Sequence, residues 1–581
     1  NVAAAHGDQV ANSWLEARSN MEHYRGPSEV VYPSVGVRIP AQSATVMVEP
    51  ECGTMKIKMD GRNVTYAEAW EACLNVPARQ PRTCTIVMAC NGTLYQPDST
   101  DTNRLAAISM RVHKSVGAGV DLETVADNWI IVTQVLVSIA KQSWQVEVVD
   151  IEDCAAAMTT AKGKLLLATA NAAEIEGLVI RLRRGVKCNE TVGAKEVRDA
   201  CGVTRMTIRP RSLAVFTVDV HVVLAGVARG ITDEMHRLLN GQLFRIGEDS
   251  VRIYYASGTT GAALNKIGEV LEAEPECIVV SGDDGVTKSH RLASALVQLG
   301  APFTPFIELD GSQFDMSQKF HALKASGEFF NPLGLPARTW EFVMEICSMP
   351  YKLVGDAFTI TGENGYQLAT GVDLTNLING VSNLSNNIQL RLLPVRATNF
   401  VETAGASMGF KMTSSLEQYI SNVTFLKGWW QLSKDGVSRT WVQLVSAVCK
   451  IGKTERTARL FLSTKKNVVE GLHMFAYAMA RSMGTIPRDY PILGAALSAY
   501  DRLGMETRTV VSASEDAWFK PTVEGSVDRN EAIKSIVTRY GITQDDILRV
   551  EGLYRSIHSL PALMIDDVFI RLAEVDYGYN E

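Results

Sequence analysis

No Cys-x-x-Cys pair occurs among the ten cysteines (Cys52, Cys73, Cys84, Cys90, Cys154, Cys188, Cys201, Cys277, Cys347 and Cys449), which are scattered along 581 residues. In a chain this long, that scatter reads as free thiols in a reducing compartment and excludes a disulfide framework or a zinc site. The nine histidines are equally dispersed and form no His-Glu-x-x-His, so a metal held by His or Cys is not expected. The opening Asn-Val-Ala-Ala-Ala-His has no basic stretch followed by an apolar one, so no signal peptide is expected. It also has no initiator Met, as in a trimmed or processed chain. The longest apolar run, Trp129 to Ala140, is broken by Thr133, Gln134 and Ser138 and falls short of a membrane span. A net charge of -7 argues against a polycation that coats nucleic acid in bulk. Neither an internal repeat nor a low-complexity tract is present. The expectation is a soluble intracellular protein.

What is present allows a large core. The chain is 46% hydrophobic and 21% charged, which excludes wholesale disorder, and its length suggests roughly three to four units of about 150 residues. Residues 1–60 show little helical period and are punctuated by Pro27, Pro33, Pro40 and Pro50, which reads as an extended arm over a larger body. From about 65 to 180, strand-like stretches such as Cys84 to Met88 alternate with helix-like ones such as Leu165 to Leu178. Residues 181–211 hold nine Lys or Arg against three acids, a local balance of +6 in an acidic protein. That segment is either a solvated ribbon or a basic wall over phosphates. Beyond 431 the pattern is mainly helical, as in Val468 to Met483 and Asp545 to Ile557.

Three stretches carry chemistry. In Glu276 to Thr287, a β-branched run enters Gly282-Asp283-Asp284-Gly285 and another Val-Thr pair follows, which predicts a hairpin with two carboxylates at its tip. Alone, Gly-Asp-Asp arises by chance in roughly one such chain in ten, so taken by itself it reads first as an ordinary polar turn. In Phe306 to Asp315, a short strand ends at Asp310, Ser312 can cap a helix starting near Gln313, and Asp315 lies in its first turn. In Gln367 to Asn379, a glycine loop opens a helix whose Leu374, Leu377, Ile378, Val381 and Leu384 follow the i, i+3, i+4, i+7 rule. Thr375, Asn379, Asn383 and Asn387 are spaced by four and share a polar face, which suits hydrogen bonding to something uncharged, such as a sugar. A plain amphipathic helix is the competing reading.

Together these stretches resemble the palm of viral RNA-dependent RNA polymerases. Asp310-x4-Asp315 is similar to that family's motif A, Thr370-Gly371-x3-Thr375-x3-Asn379 to motif B with Thr where Ser is commoner, and Gly282-Asp283-Asp284 to motif C. The order here is C, A, B, as in the permuted palms of permutotetraviruses (the Thosea asigna virus type) and birnaviruses. Birnaviruses carry Ala-Asp-Asn at the hairpin; this chain keeps Gly-Asp-Asp, so it resembles the permutotetravirus type more. Asn422 to Trp430 is similar to the primer-grip motif E, with Phe425, Leu426, Lys427, Trp429 and Trp430 as its contacts, although Trp429 and Trp430 read equally as core aromatics. Met408 to Thr413 resembles motif D, and the segment ending Thr204 to Arg209 resembles fingertip motif F. The resemblance spans about 195–430 and leaves the flanks unmatched.

It implies an α+β right hand: a 1–60 arm, fingers over 61–255, an antiparallel-sheet palm over 256–430 with an inserted fingers segment, and a helical thumb over 431–581. It further implies RNA-directed RNA synthesis from NTPs, with two Mg2+ (or Mn2+) ions on Asp310 and Asp283 and with Asp284 supporting. Arg205 and Arg209 are implied at the triphosphate, Asp315, Thr370, Gly371, Thr375 and Asn379 around the incoming nucleotide, and Lys411 as general acid, with a solvated surface lysine as its competing reading. Template and product RNA are the implied partners, the extended arm suggests a homodimer, and the implied setting is host cytoplasm or the virion. Two other readings compete. One is a reverse transcriptase, which normally has an aromatic before the paired Asp; the other is a catalytically silent palm that binds RNA or capsid.

Overall fold

A continuous β-branched run has no polar face to give to water, and Glu276–Ser281 is accordingly buried at every position. It is the third strand of a six-stranded sheet that follows chain order: β1 (Gln242–Ile246), β2 (Asp249–Tyr255), β3 (Glu276–Ser281), β4 (Asp284–Ser289), β5 (Phe306–Gly311) and β6 (Met412–Glu417). Only β2 and β3 run parallel; the other neighbours are antiparallel. The α2 helix (Gly261–Ala273) makes the β2–β3 crossover after α1 (Val218–Leu239). This computed structural model describes residues 28–32, 37–38, 44, 46–74, 76, 83–92, 97–114, 120–141, 149, 153, 180–188, 194–198, 204–259, 261–311, 313–454, 468–483, 486–504 and 525–578. Within these, 37–38, 83–85, 194–198, 204–207, 453–454 and 468 are described through their backbone. Most of the expected arm before residue 44, the helix-like stretch Leu165 to Leu178, and Ser312 lie outside the described residues.

The two faces of the sheet bury into different cores. Ile278 and Val280 join a large cluster with Leu377, Val381 and Leu384 of α4 (Thr375–Leu392), which follows the single-turn α3 (Phe314–Ser317). Cys277, Val279 and Val286 face the other way, onto Leu264 and Ile267 of α2 and onto Phe425, Trp430 and Trp441. Each buried Val, Ile or Leu contributes about 1.5–3 kcal/mol, so the central strand is anchored from both sides. A second mixed sheet runs through 212–215, 182–186, 351–354, 359–363, 54–59 and 62–64, and the strands 194–198 and 204–208 form a separate hairpin in the basic segment.

The C-terminal core is helical, built from 468–482, 493–503, 529–540, 544–556 and 567–577. Val87, Met88 and Cys90 pack into it, and strand 562–565 pairs with both 29–31 and 88–90. Among the described residues, Leu122–Ala140 is the one helix long and apolar enough to cross a membrane by length and composition. Its Trp129, Val132, Leu136 and Ile139 are buried in the same core as Leu323, Phe329 and Phe330, while Leu122, Ile130 and Ile131 are exposed on its other side. Cys52, Cys73, Cys90, Cys188, Cys277, Cys347 and Cys449 are free thiols.

Candidate active site

The acidic hairpin turns in two residues. Ser281 pairs with Asp284, leaving Gly282 and Asp283 as the loop, with Gly282 at φ +61. Glycine at the first central position with positive φ is the turn that matches strand twist. The glycine is also needed for space, because a Cβ there would lie 2.3 Å from Asn376 Oδ1. Asp283 is exposed at the tip and Asp284 is half-buried. Continued by one residue beyond its last pair, the β4–β5 register sets Asp284 opposite Asp310, itself exposed near the end of β5. The Asp283 carboxyl reaches solvent, yet the cleft walls strip much of its hydration. That desolvation, together with the negative charges of Asp315 and Asp310, pushes its pKa up, while Arg211 opposes the rise.

Asp315 is buried and held on both oxygens. Asn379 Nδ2 donates to Oδ1 at 2.9 Å, while Thr370 Oγ1 at 3.0 Å and Arg211 Nη2 at 3.2 Å donate to Oδ2. Three of the residues grouped from the sequence thus touch one another, across gaps of 55 and 64 positions. Helix α3, which carries Asp315, begins after Gln313, whose φ is +52; no side chain caps it. The expected Ser312 cap lies outside the described residues.

The loop before α4 is fixed against strand 212–215. Ala214 N–H donates to Thr370 O at 2.8 Å, and Gly371 (φ +125) has no room for a Cβ, which would lie 2.5 Å from Ala214 O. Thr375 Oγ1 donates to Val372 O at 2.7 Å, so this hydroxyl braces its own loop and is not part of the Asp315 cluster. His221 and Asp373 pair at 2.7 Å from α1.

The expected polar stripe on α4 is not a face offered to a sugar. Asn379, Asn383 and Asn387 are all buried, because the stripe looks onto the hairpin and Asp315. Asn383 Nδ2 donates to Asp283 O at 3.0 Å, and Asn387 Nδ2 to Asn383 O at 2.9 Å. At the base, the buried Arg391 donates to Thr287 Oγ1 at 2.7 Å and Lys288 O at 3.2 Å, with Glu276 3.5 Å away.

The aromatic hairpin also corrects its expectation. Strands β7 (Thr424–Phe425) and β8 (Gly428–Leu432) pair, and Phe425, Trp429 and Trp430 are 2%, 0% and 0% exposed. Trp429 Nε1 donates to Tyr490 Oη at 2.8 Å, Trp430 Nε1 donates to Leu264 O at 2.7 Å, and Trp430 stacks on Phe425. These rings hold cores together and cannot reach a primer. Half-buried Leu426 and exposed Lys427 stay at the tip. Lys411 is exposed just before β6, whose Met412 pairs with Gly311. The Arg205 side chain lies outside the described residues; Arg209 is half-buried, and that burial lowers its pKa.

The sequence gives no site role to Arg211, Asn376 or Glu308. Glu308 accepts Thr424 N–H at 2.8 Å and a bond from Thr424 Oγ1, which ties β5 to β7, and burial pushes its carboxyl up to about 7. Arg211 is countable in the sequence only as one cation of nine. Among the described residues, no group of three or more His, Cys, Asp or Glu side chains forms a ready metal cage.

No known protein family matches the sequence, and no curated protein does either. Among solved structures, the chain is similar to an insertion-loop deletion mutant of the RNA-dependent RNA polymerase of a human picobirnavirus: 12% identity, 66% of this chain, 75% of that one, TM-score 0.37. It is also similar to a birnavirus VP1–VP3 complex: 9% identity, 66% of this chain, 54% of that one, TM-score 0.36. The chain thus spans about half the birnavirus chain it matches. Identities and TM-scores this low carry no function from either protein to this one.

Proposed function

We propose that the chain is an RNA-directed RNA polymerase of the permuted, permutotetravirus type, a nucleotidyltransferase that copies a viral RNA genome from NTPs in the host cytoplasm. The single observation behind this reading is that Asp283, Asp310 and Asp315 come together from two of the three stretches, with Thr370 and Asn379 of the third hydrogen-bonded to Asp315. Residues 61–255 then act as fingers, 256–430 as palm and 431–581 as thumb.

The donor set suits a hard divalent cation. Such ions take one or two carboxylates and complete their shell with water and phosphate oxygens, so a full protein cage is not required. Burial first, and then the charges of Asp315 and Asp310, raise the pKa of Asp283, so a cation beside these carboxylates would be favoured. Asp310 and Asp283, with Asp284 beside them, would hold Mg2+ or Mn2+, which when bound lowers the pKa of the attacking 3'-hydroxyl and neutralises triphosphate charge.

The chain's own residues supply selection and positioning. A carboxylate has about four lone-pair sites. Arg211, Thr370 and Asn379 fill three on Asp315 and leave one acceptor for a ribose hydroxyl, the group that separates RNA from DNA. Arg209 and Arg205 neutralise the triphosphate, and exposed Lys411 can protonate the leaving pyrophosphate.

The test is Mg2+-dependent incorporation of labelled NTPs on primed homopolymer RNA, comparing the native chain with Asp283→Ala. Expected is loss of synthesis in the variant with RNA binding retained. Native protein that binds RNA but makes none defeats the reading, as does a variant that incorporates normally.

A further inference from the structure

The acidic motif does not end with its aspartates: Gly285 follows them, and nothing in the proposed chemistry requires it. Gly285 lies on β4, where an added Cβ would sit 2.3 Å from Asn383 Oδ1 and 2.7 Å from Asn383 Nδ2. Gly282 stands in the same relation to Asn376, seven residues earlier on α4. Both glycines of Gly-Asp-Asp-Gly are therefore seats for asparagines from one helix face, with Gly380 between them 3.8 Å from Gly282 N at its would-be Cβ.

Asn383 is oriented as well as seated. Asn387 Nδ2 donates to Asn383 Oδ1 at 3.0 Å as well as to Asn383 O. With its oxygen engaged, Asn383 turns its NH2 to the hairpin, where Nδ2 meets Asp283 O at 3.0 Å. Asn383 and Asn387 are both 0% exposed, so with the hairpin seated no water competes for these bonds. Asn376 is held in turn by its bond to Ser257 Oγ, beyond the end of β2.

Chain order explains why such a device is needed. The hairpin precedes α4 by about a hundred residues, so no short connection sets the two in register. We propose that Asn383, oriented by Asn387 and admitted by Gly285, is a positioning residue that latches the tip of the acidic hairpin to α4. It thereby fixes where the Asp283 carboxylate meets a divalent cation. This rests on the polymerase reading for its catalytic consequence but not for the latch itself.

Asn383→Ala and Gly285→Ala attack the latch from opposite sides. The first removes the donor; the second leaves every hydrogen-bonding group in place and fills the slot. Loss of an outer-shell support typically costs about 10–100-fold in metal affinity or activity. On that scale, Asn383→Ala is expected to lower kcat about tenfold and to raise the Mg2+ concentration for half-maximal rate several-fold, with the KM for NTP within about twofold. Amide exchange at 282–286 is expected to quicken while exchange along β5 does not. Gly285→Ala should move the same readouts further, because its added Cβ also pushes the hairpin off α4, and Gly285→Ala/Asn383→Ala should return only to the Asn383→Ala level, because the smaller side chain clears the slot but supplies no donor.

Unchanged exchange and Mg2+ dependence in Asn383→Ala would overturn the latch, as would a double variant no better than Gly285→Ala. If Asn383→Ala does not fold, Gly285→Ala supplies the same readouts. If the native protein makes no RNA on any template, the polymerase reading fails, and the exchange data at 282–286 still decide the latch.

Discussion

Two hairpins with two-residue turns stand close together, and they use their tips in opposite ways. The acidic one reverses through Gly282 and Asp283, with the positive φ taken by glycine and the carboxylates turned outward. The aromatic one reverses through Leu426 and Lys427, at φ +54 and +60, with no glycine to relieve either. Its conspicuous residues are its most hidden. Neighbours on a strand face opposite ways. Trp429 accordingly enters the C-terminal helical core and Trp430 the core beneath the central sheet. One hairpin turns carboxylates toward solvent and rests on amides of α4; the other joins two cores of the protein through its rings.

The largest expected effect breaks the presenting hairpin's partner strand. Asp310→Asn keeps shape and removes charge where Asp283 and Asp284 converge, so nucleotide incorporation should fall by at least about 10^4-fold, roughly 5.5 kcal/mol. RNA binding and Tm should stay near native. Normal turnover would mean that Asp310 is only a strand-end residue.

Next comes the joining hairpin. Trp430→Ala removes a fully buried ring stacked on Phe425 together with its bond to Leu264 O, which should cost about 3–5 kcal/mol of unfolding free energy. Chemical denaturation measures it. A loss confined to primer extension, with stability unchanged, would restore Trp430 to RNA contact and remove the contrast between the hairpins.

A smaller effect is expected where recognition is shared among several donors. Asn379→Ala frees one oxygen of Asp315 and loosens its aim, so discrimination between NTP and dNTP should drop on the order of tenfold, about 1.4 kcal/mol. Ratios of kcat/KM for the two substrates report it directly. An unaltered ratio would place ribose reading elsewhere.

The same contrast explains what was legible. Strand Glu276–Ser281 and helix Thr375–Leu392 follow from a β-branched run and an i, i+3, i+4 pattern, because burial periodicity is written locally. The α+β character and the helical C-terminus follow in the same way. The grouping of Asp315 with Thr370 and Asn379 comes from motif resemblance, since no local rule joins residues 55 or 64 apart. Trp429 and Trp430 mislead because two-sided burial depends on what covers each face, and both covers, Leu264 and Tyr490, are distant in the chain. Asn383 and Asn387 are visible as a stripe but acquire the wrong partner for that reason: an amide's spacing reveals its face and not its neighbour. Arg211 has no distinguishing signal, because a surface cation and one that braces a buried carboxylate look alike in sequence.

The least expected effect is also the one that separates the hairpins most cleanly, because it touches only the tip of the second. A non-glycine residue in left-handed backbone costs roughly 1–2 kcal/mol, and Asn-Gly is the preferred pair when both central residues of a two-residue hairpin turn need positive φ. Leu426→Asn/Lys427→Gly should therefore raise stability by about 1 kcal/mol, offset in part by the packing of half-buried Leu426. If Lys427 is the part of this hairpin that meets the product strand, the same variant should extend a primer less well. Its RNA affinity should also depend less steeply on salt, by about one unit of slope for the single phosphate that Lys427 would neutralise. Stability up and extension down would show a strained tip kept for RNA. Stability up with extension untouched would leave the aromatic hairpin a purely structural joint and the acidic one as the sole hairpin that acts on substrate.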